Sequence, residues 1–370
     1  MGRPTLPESA GKTAACHKKA PTDILCFEVP VPSEIVIIQK EQHMEIYGTL
    51  GPACHSKEIL TGMFRAGMTG MRLNLSHTAL RESSPLIDTF HAAAEEAGVI
   101  PKLLIDMQGP ELRIGALSYD VPLRDGEMVT LGEGGIPIPD CVLSAVRPGS
   151  SILLDDGKIL LVAERTCGNH LQAAVMRGGI LSGRKSIAIP GEEISRPAMT
   201  DMDLANIADA RMFGVTGIMQ PFVRSRDDLI TVRRALSKAG CSNIRLFAKI
   251  ENLDGVRKID ELLPWADEIV IARGDLGNAV PLWTLPAVQK DLAEKCRHFG
   301  TPFMVVTQML ASMEKNPVPT RAEVSDIFNA VLDGASSVMV TGETAVGQYP
   351  VEVIDFLART VREAQKYSSV

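Results

Sequence analysis

Ile244-Arg245-Leu246-Phe247-Ala248-Lys249-Ile250-Glu251-Asn252 is a short, mainly apolar run that ends in a lysine and a glutamate two residues apart. Alternate side chains of a strand point the same way, so Lys249 and Glu251 share one face at its end. The next such run closes on Ile271-Ala272-Arg273-Gly274-Asp275-Leu276-Gly277, again with charge and glycine at the exit. Working outward, apolar runs recur at 44–50, 70–75, 102–107, 215–220, 244–250, 268–272, 302–307 and 336–341. Most precede helix-like segments, at 56–66, 84–97, 226–239, 288–299, 321–333 and 351–367. Strands that are apolar throughout and alternate with helices indicate a parallel sheet covered on both faces. Eight such units indicate an α/β chain closed into a (β/α)8 TIM barrel.

One interval breaks the rhythm. From 116 to 187 the chain shows β-type alternation with closely spaced turn residues, among them Gly126, Gly134, Gly135, Pro148, Gly149, Gly157 and Gly178. Short strands between regular turns predict a small all-β cap, a β-barrel domain inserted after the third barrel strand. Loops that follow barrel strands emerge on the catalytic face, which places this cap beside the barrel mouth. The barrel then comprises 41–115 and 188–370. Residues 1–40 form an N-terminal extension, mainly polar to Asp23, with a short apolar run at 35–39 that reads as a helix or strand covering one end of the barrel.

Composition narrows the function classes. A net charge of −7 without a basic stripe argues against nucleic acid as the main partner, although a few converging cations still suffice to bind an anionic metabolite. No stretch reaches the roughly 18 to 20 apolar residues of a membrane helix, and the N-terminus lacks the apolar core of a signal peptide. Seven cysteines, at 16, 26, 54, 141, 167, 241 and 296, include no CxxC pair. Reduced thiols and a cytoplasmic protein are the expectation. Aromatics make up only 4%, so the interior must be built from aliphatic residues, Ala and Met.

In a barrel, functional groups sit where strands end. The second run ends Arg72-Leu73-Asn74-Leu75-Ser76-His77, with Arg72, Asn74 and Ser76 on one side. Arg72 is either paired with a neighbouring Asp or a phosphate ligand, because an inward guanidinium needs an anion. Asn74 and Ser76 are turn hydrogen-bonders or hard oxygen ligands for a cation. The third run ends Asp106-Met107-Gln108-Gly109-Pro110-Glu111-Leu112-Arg113, where Asp106 is a turn cap or a cation ligand. Lys249 and Glu251 are a structural ion pair or a phosphoryl clamp beside a metal carboxylate. Gly274 and Asp275 open a short helix whose N–H groups suit an anion, and Asp275 with Glu251 gives the two carboxylates usual for Mg²⁺. The seventh run ends at Thr307-Gln308, and the eighth at Thr341-Gly342-Glu343-Thr344. Charged or hydroxyl residues at the ends of six of eight strands read as one convergent site.

These motifs, with Thr307-Gln308-Met309-Leu310, Pro319-Thr320-Arg321-Ala322-Glu323 and Thr341-Gly342-Glu343-Thr344-Ala345, resemble in order the successive signatures of the pyruvate kinase family, over about 44–367. The resemblance implies phosphoryl transfer between phosphoenolpyruvate and ADP, giving pyruvate and ATP. It implies Mg²⁺ (or Mn²⁺) on Glu251 and Asp275, and K⁺ on Asn74, Ser76, Asp106 and the Met107 carbonyl. Lys249 and Arg72 would neutralise the phosphoryl group, the Gly274 and Asp275 N–H groups would hold the substrate carboxylate, and Thr307 would lie by the enolate carbon. Arg113, His77, Pro52 and Lys185 would contact the nucleotide. Glu111 stands where K⁺-independent members usually carry Lys, so K⁺ dependence is expected, as is a homodimer through the barrel around 319–323. The chain departs from the family's Thr-Lys at Met107-Gln108 and from its usual residues at Thr78, Pro221, Arg184, Ser186 and Ala188. These departures keep two other readings open: an enzyme for a related enol phosphate or phosphorylated acid, and a catalytically impaired binding or regulatory paralogue. The sequence ends at Val370, from which the resemblance implies that the family's C-terminal α/β regulatory domain is absent.

Overall fold

The computed structural model of the chain describes residues 44–76, 78–155, 157–190, 194 and 196–368. The extension at 1–40, with its apolar run at 35–39, lies outside them. Eight strands, β1 (Glu45–Thr49), β2 (Gly70–Asn74), β3 (Lys102–Asp106), β4 (Val215–Gln220), β5 (Arg245–Ile250), β6 (Glu268–Ala272), β7 (Phe303–Val306) and β8 (Ser337–Met339), close into a barrel. All eight neighbour pairs are parallel, β8 pairing back onto β1. The strands fall on the expected runs because each carries apolar residues on its helix-facing side and has no Pro to interrupt the ladder.

Helices Lys57–Ala66, Ser84–Ala97, Asp201–Asp209, Arg226–Lys238, Leu285–Phe299, Arg321–Leu332 and Pro350–Ser368 surround the barrel. The helix Asp201–Asp209 is absent from the expected set, yet its start is written in the sequence. Thr200 accepts from Asp203 N–H while the Asp203 carboxylate accepts from Thr200 N–H, a reciprocal capping box. The same device starts Arg321–Leu332, with Thr320 and Glu323 as partners. The helices bury one apolar stripe each against the outer face of the strands, in a cluster that includes Phe64, Phe90, Leu229, Leu292 and Ile354. No helix among the described residues is long and apolar enough to cross a membrane.

Inside the barrel, alternation stacks the inward side chains in tiers. The middle tier is apolar and buried: Tyr47, Leu104, Met219, Phe247, Val270, Met304 and Met339. Two residues toward the N-terminal end lie Glu45, Lys102, Arg245 and Glu268. Arg245 Nη2 is 2.5 Å from Glu268, and its Nη1 is 3.2 Å from Glu45, which also accepts from Lys102 and from the Tyr47 hydroxyl. Ser336 Oγ donates to Glu268 at 3.0 Å, and Arg245 stacks over the Phe247 ring at 4.8 Å. This lower ion cluster closes the barrel floor. Two residues in the other direction, Asp106 and Lys249 form the upper tier, which Arg72 of β2 joins through its ion pair with Asp106.

Between β3 and Asp201 the insert forms a five-stranded antiparallel sheet (Ile187–Ala188, Ser151–Leu154, Ile159–Cys167, His170–Arg177, Met128–Gly132) and a separate two-stranded pair (Val121–Leu123 with Gly179–Leu181). It has its own buried cluster, including Leu131, Ile152, Leu161, Leu171 and Leu181. Two points differ from a purely β, closed cap. A short helix, Asp140–Ala145, interrupts it, buried through Val142, and no ladder joins the two sheets among the described residues. The insert meets the barrel rim at Gly157, where an added Cβ would lie 2.9 Å from Asn278 Oδ1.

Gly70 shows how tightly the barrel is filled: an added Cβ would sit 2.3 Å from the Lys102 carbonyl oxygen and 2.8 Å from the Tyr47 ring. Gly70→Ala is therefore expected to lose about 1 to 3 kcal/mol of stability, read from the urea unfolding midpoint; an unchanged midpoint would show that the strands part freely there.

Candidate active site

The site grows from the ends of β2, β3 and β5. Asp106 is the last residue of β3 and is paired in register with Asn74 of β2. Its Oδ2 accepts from Arg72 Nε and Nη2, each at 2.8 Å, and from Lys249 Nζ at 3.0 Å. Lys249 Nζ reaches on to Glu251 Oε1 at 2.9 Å. The other Glu251 oxygen accepts the backbone N–H of Phe222 at 2.8 Å. Phe222 holds φ at +50°, unusual for a bulky residue, and this turns its N–H into the barrel. Asp106 and Glu251 are 2% and 3% exposed, so each charge here depends on its neighbours rather than on water.

Burial alone would raise the Asp106 carboxyl, but the charges and hydrogen bonds of Lys249 and Arg72 outweigh it and hold the group below the usual carboxylate range. Burial would lower the Lys249 ammonium; Asp106 and Glu251, with Asp275, hold it above its ordinary value. Glu251 moves the other way. Burial pushes its carboxyl up, Asp275 and Asp106 push it further, and Lys249 opposes them. Asp275 is thus near enough for its negative charge to disfavour that of Glu251.

That repulsion is the test of fit for a divalent cation, and the residues pass it: two hard carboxylates lie near enough to disfavour one another's charge, which a dication between them would relieve. Among the described residues no group of three or more His, Cys, Asp or Glu forms a metal cage, so water and substrate oxygens would complete the shell. Of the oxygens expected for K⁺, Asn74 Oδ1 accepts from Ser76 Oγ at 2.8 Å and from its N–H at 3.1 Å, and Asn74 is in register with Asp106.

The other expected residues separate into two groups. Gly274 and Asp275 lie in the first turn of the helix Arg273–Ala279, where N–H groups lack intrahelical partners. Thr307 follows β7 and faces Gly274: a Cβ built on that glycine would be 2.9 Å from the Thr307 methyl. Pro52 opens a short 3-10 turn after β1 and is exposed. Met107, directly after β3, is buried. Farther out, Arg113 donates to Glu111 (Nη2 at 2.7 Å) and to the Arg184 carbonyl (3.0 Å), and Lys185 lies 2.8 Å from Asp155 within the cap. His77 lies outside the described residues.

Three contributors make contacts that the sequence motifs do not announce. Gln108 bridges the Thr200 hydroxyl (3.1 Å) and the Ser76 carbonyl (3.4 Å), tying the loop after β2 to the segment leaving the cap. The Glu343 carboxylate accepts the N–H groups of Thr341 (2.6 Å) and Leu310 (3.1 Å), joining the loops after β7 and β8. The Phe222 N–H is a backbone donor, and no side-chain pattern announces it.

A closed parallel barrel with a largely enclosed lysine shared by two carboxylates at its strand ends defines a (β/α)8 scaffold with a charged mouth. Comparison with known proteins makes the assignment specific. The family model "Pyruvate kinase, barrel domain" matches residues 41–354. Curated pyruvate kinases from Sporosarcina psychrophila and Geobacillus stearothermophilus are each 38% identical to this chain, over 340 and 322 residues. These alignments cover 88% and 84% of the chain, which spans 58% and 55% of the two relatives' lengths. A pyruvate kinase from Clostridium acetobutylicum is 34% identical, with 88% of this chain and 71% of that protein aligned. The chain belongs to the pyruvate kinase family.

Because Asp106 separates two cations, Asp106→Asn would leave Arg72 and Lys249 facing each other in a buried pocket. The expected cost is about 3 kcal/mol in denaturant unfolding at neutral pH, and a loss near zero would mean that water already screens the trio.

Proposed function

We propose that the chain transfers a phosphoryl group between phosphoenolpyruvate and ADP, forming pyruvate and ATP, with Mg²⁺ (or Mn²⁺) on Glu251 and Asp275 and K⁺ beside Asn74, Ser76, Asp106 and the Met107 carbonyl. The observation that carries this reading is the Lys249 ammonium, 2.9 Å from Glu251 and 3.0 Å from Asp106 at the mouth of a barrel whose relatives are pyruvate kinases. A phosphoryl group in flight carries spread negative charge, so alignment and fixed positive charge do most of the catalysis. Lys249 keeps its proton because three carboxylates surround it, and Arg72 is fixed through two N–H groups on Asp106. Both cations are therefore in place before substrate arrives. The divalent ion would supply charge neutralisation where the phosphoryl oxygens and Glu251 meet. Gly274 and Asp275 would direct N–H groups at the substrate carboxylate, and Thr307 would sit by the carbon that takes up the proton. Arg113, Lys185, Pro52 and His77 would contact the nucleotide; Arg113 and Lys185 must leave or share Glu111 and Asp155 to do so.

The same reading expects a homodimer through the barrel around 319–323, where Val318 is 60% exposed, and places the protein in the cytoplasm with its substrates. Gln108, neutral where the family usually carries Lys, favours the second reading, a related enol phosphate or phosphorylated acid as substrate.

A coupled assay with purified protein, varying phosphoenolpyruvate, nucleoside diphosphate, Mg²⁺ and K⁺, tests these readings together. Pyruvate formation is expected and is expected to fall when K⁺ is omitted, with Lys249→Met lowering turnover by about a thousandfold. No pyruvate above the Lys249→Met level under any of these conditions would refute the proposal. A parallel screen of other phosphorylated acids tests the second reading, which turnover of any of them would support.

A further inference from the structure

The residue that follows β7 has a backbone that its side chain disfavours. Thr307 is β-branched, yet its φ is +80°, and Gln308 follows at +57°. Left-handed conformations are uncommon for such residues and persist where surrounding contacts impose them. The imposing contacts come from Arg273, the first residue after β6. Its Nε and Nη2 both donate to the Thr307 carbonyl oxygen, at 3.2 and 2.7 Å. Its Nη1 pairs with Asp326 of the helix Arg321–Leu332 at 2.5 Å, and Nη2 also contacts the Met309 sulfur at 3.0 Å. On the other side, the absent Cβ of Gly274 leaves room for the Thr307 methyl. A rigid planar fork spends two N–H groups on one carbonyl and a third on a carboxylate, a geometry that lysine lacks. The guanidinium therefore points away from the barrel axis and grips the backbone of its neighbour.

We infer that Arg273, oriented by Asp326, is a positioning residue that holds Thr307 in its left-handed conformation and so fixes where the Thr307 hydroxyl meets substrate. The functional half rests on the phosphotransfer reading above, in which Thr307 lies by the carbon that is protonated. Arg273 itself touches no reacting atom: all three of its guanidinium nitrogens donate to protein groups.

Two measurements test the inference separately. The first is independent of activity: a crystal structure of Arg273→Met is expected to show Thr307 at negative φ with the barrel strands unmoved. Asp326→Asn, which keeps the guanidinium but loosens its tether, gives the same readout if Arg273→Met does not fold. Thr307 remaining near +80° in the substituted protein overturns the clamp, whatever the activity. The second is kinetic. In Arg273→Met, kcat for pyruvate formation and the Mg²⁺- and ATP-dependent exchange of pyruvate methyl protons with D2O are both expected to fall by roughly a hundredfold. KM for phosphoenolpyruvate should move by less than about threefold, and Arg273→Lys should recover little, since it restores charge without the fork. A loss confined to KM, or full recovery by lysine, overturns the positioning role. If the unsubstituted protein forms no pyruvate, the phosphotransfer reading fails and the functional half with it, while the Thr307 backbone still decides the clamp.

Discussion

Everything at the barrel mouth depends on one ammonium group. Lys249 is 12% exposed and lies within 3.0 Å of two carboxylates, Glu251 just after its own strand and Asp106 of β3. Neither the lysine nor either acid is tolerable there alone, since a single charge removed from water costs far more than a pair. The cluster is therefore mutually enforced: Arg72 needs Asp106, Asp106 needs Lys249, and Lys249 needs Glu251. The repulsion between Glu251 and Asp275 marks where a cation from solution would relieve the structure rather than strain it. Stability and chemistry draw on the same charges.

The tiers inside the barrel explain how so polar an end is supported. Along β5 the inward residues read Arg245, Phe247, Lys249, and along β3 they read Lys102, Leu104, Asp106. The apolar middle tier separates two ionic ends, keeping the Glu45–Arg245–Glu268 cluster below from the Asp106–Lys249–Glu251 cluster above. Rim contacts then tie the loops to one another: Glu343 joins the loops after β7 and β8, and Gln108 joins the loop after β2 to the cap's exit.

The barrel is legible in the sequence because its signal is redundant. All eight strands fall on apolar runs, and alternation places Lys249 and Glu251 together, as found. What stays hidden does so for identifiable reasons. The lower cluster obeys the same two-residue period as the upper one, but Glu45, Lys102, Arg245 and Glu268 fall at strand starts, where charge is easily read as solvated. Asp201–Asp209 is mixed in hydrophobicity and announces itself mainly by its capping box. Asp140–Ala145 is too short to show a helical period among the turns of the insert. The partner of Arg72 was one of two alternatives in the sequence, and only three-dimensional proximity selects Asp106. The left-handed backbone at Thr307 and the inward N–H of Phe222 leave no compositional trace, because neither position holds glycine.

The ionic clusters at both ends of β3 and β5 also act as pins on strand alignment. Sliding either strand by one residue would turn its three inward side chains to the helix layer at once, stranding charges in grease at both ends. Natural variation in length should therefore accumulate in the loops and the cap, while a single-residue insertion or deletion inside β3 or β5 would unseat floor and mouth together.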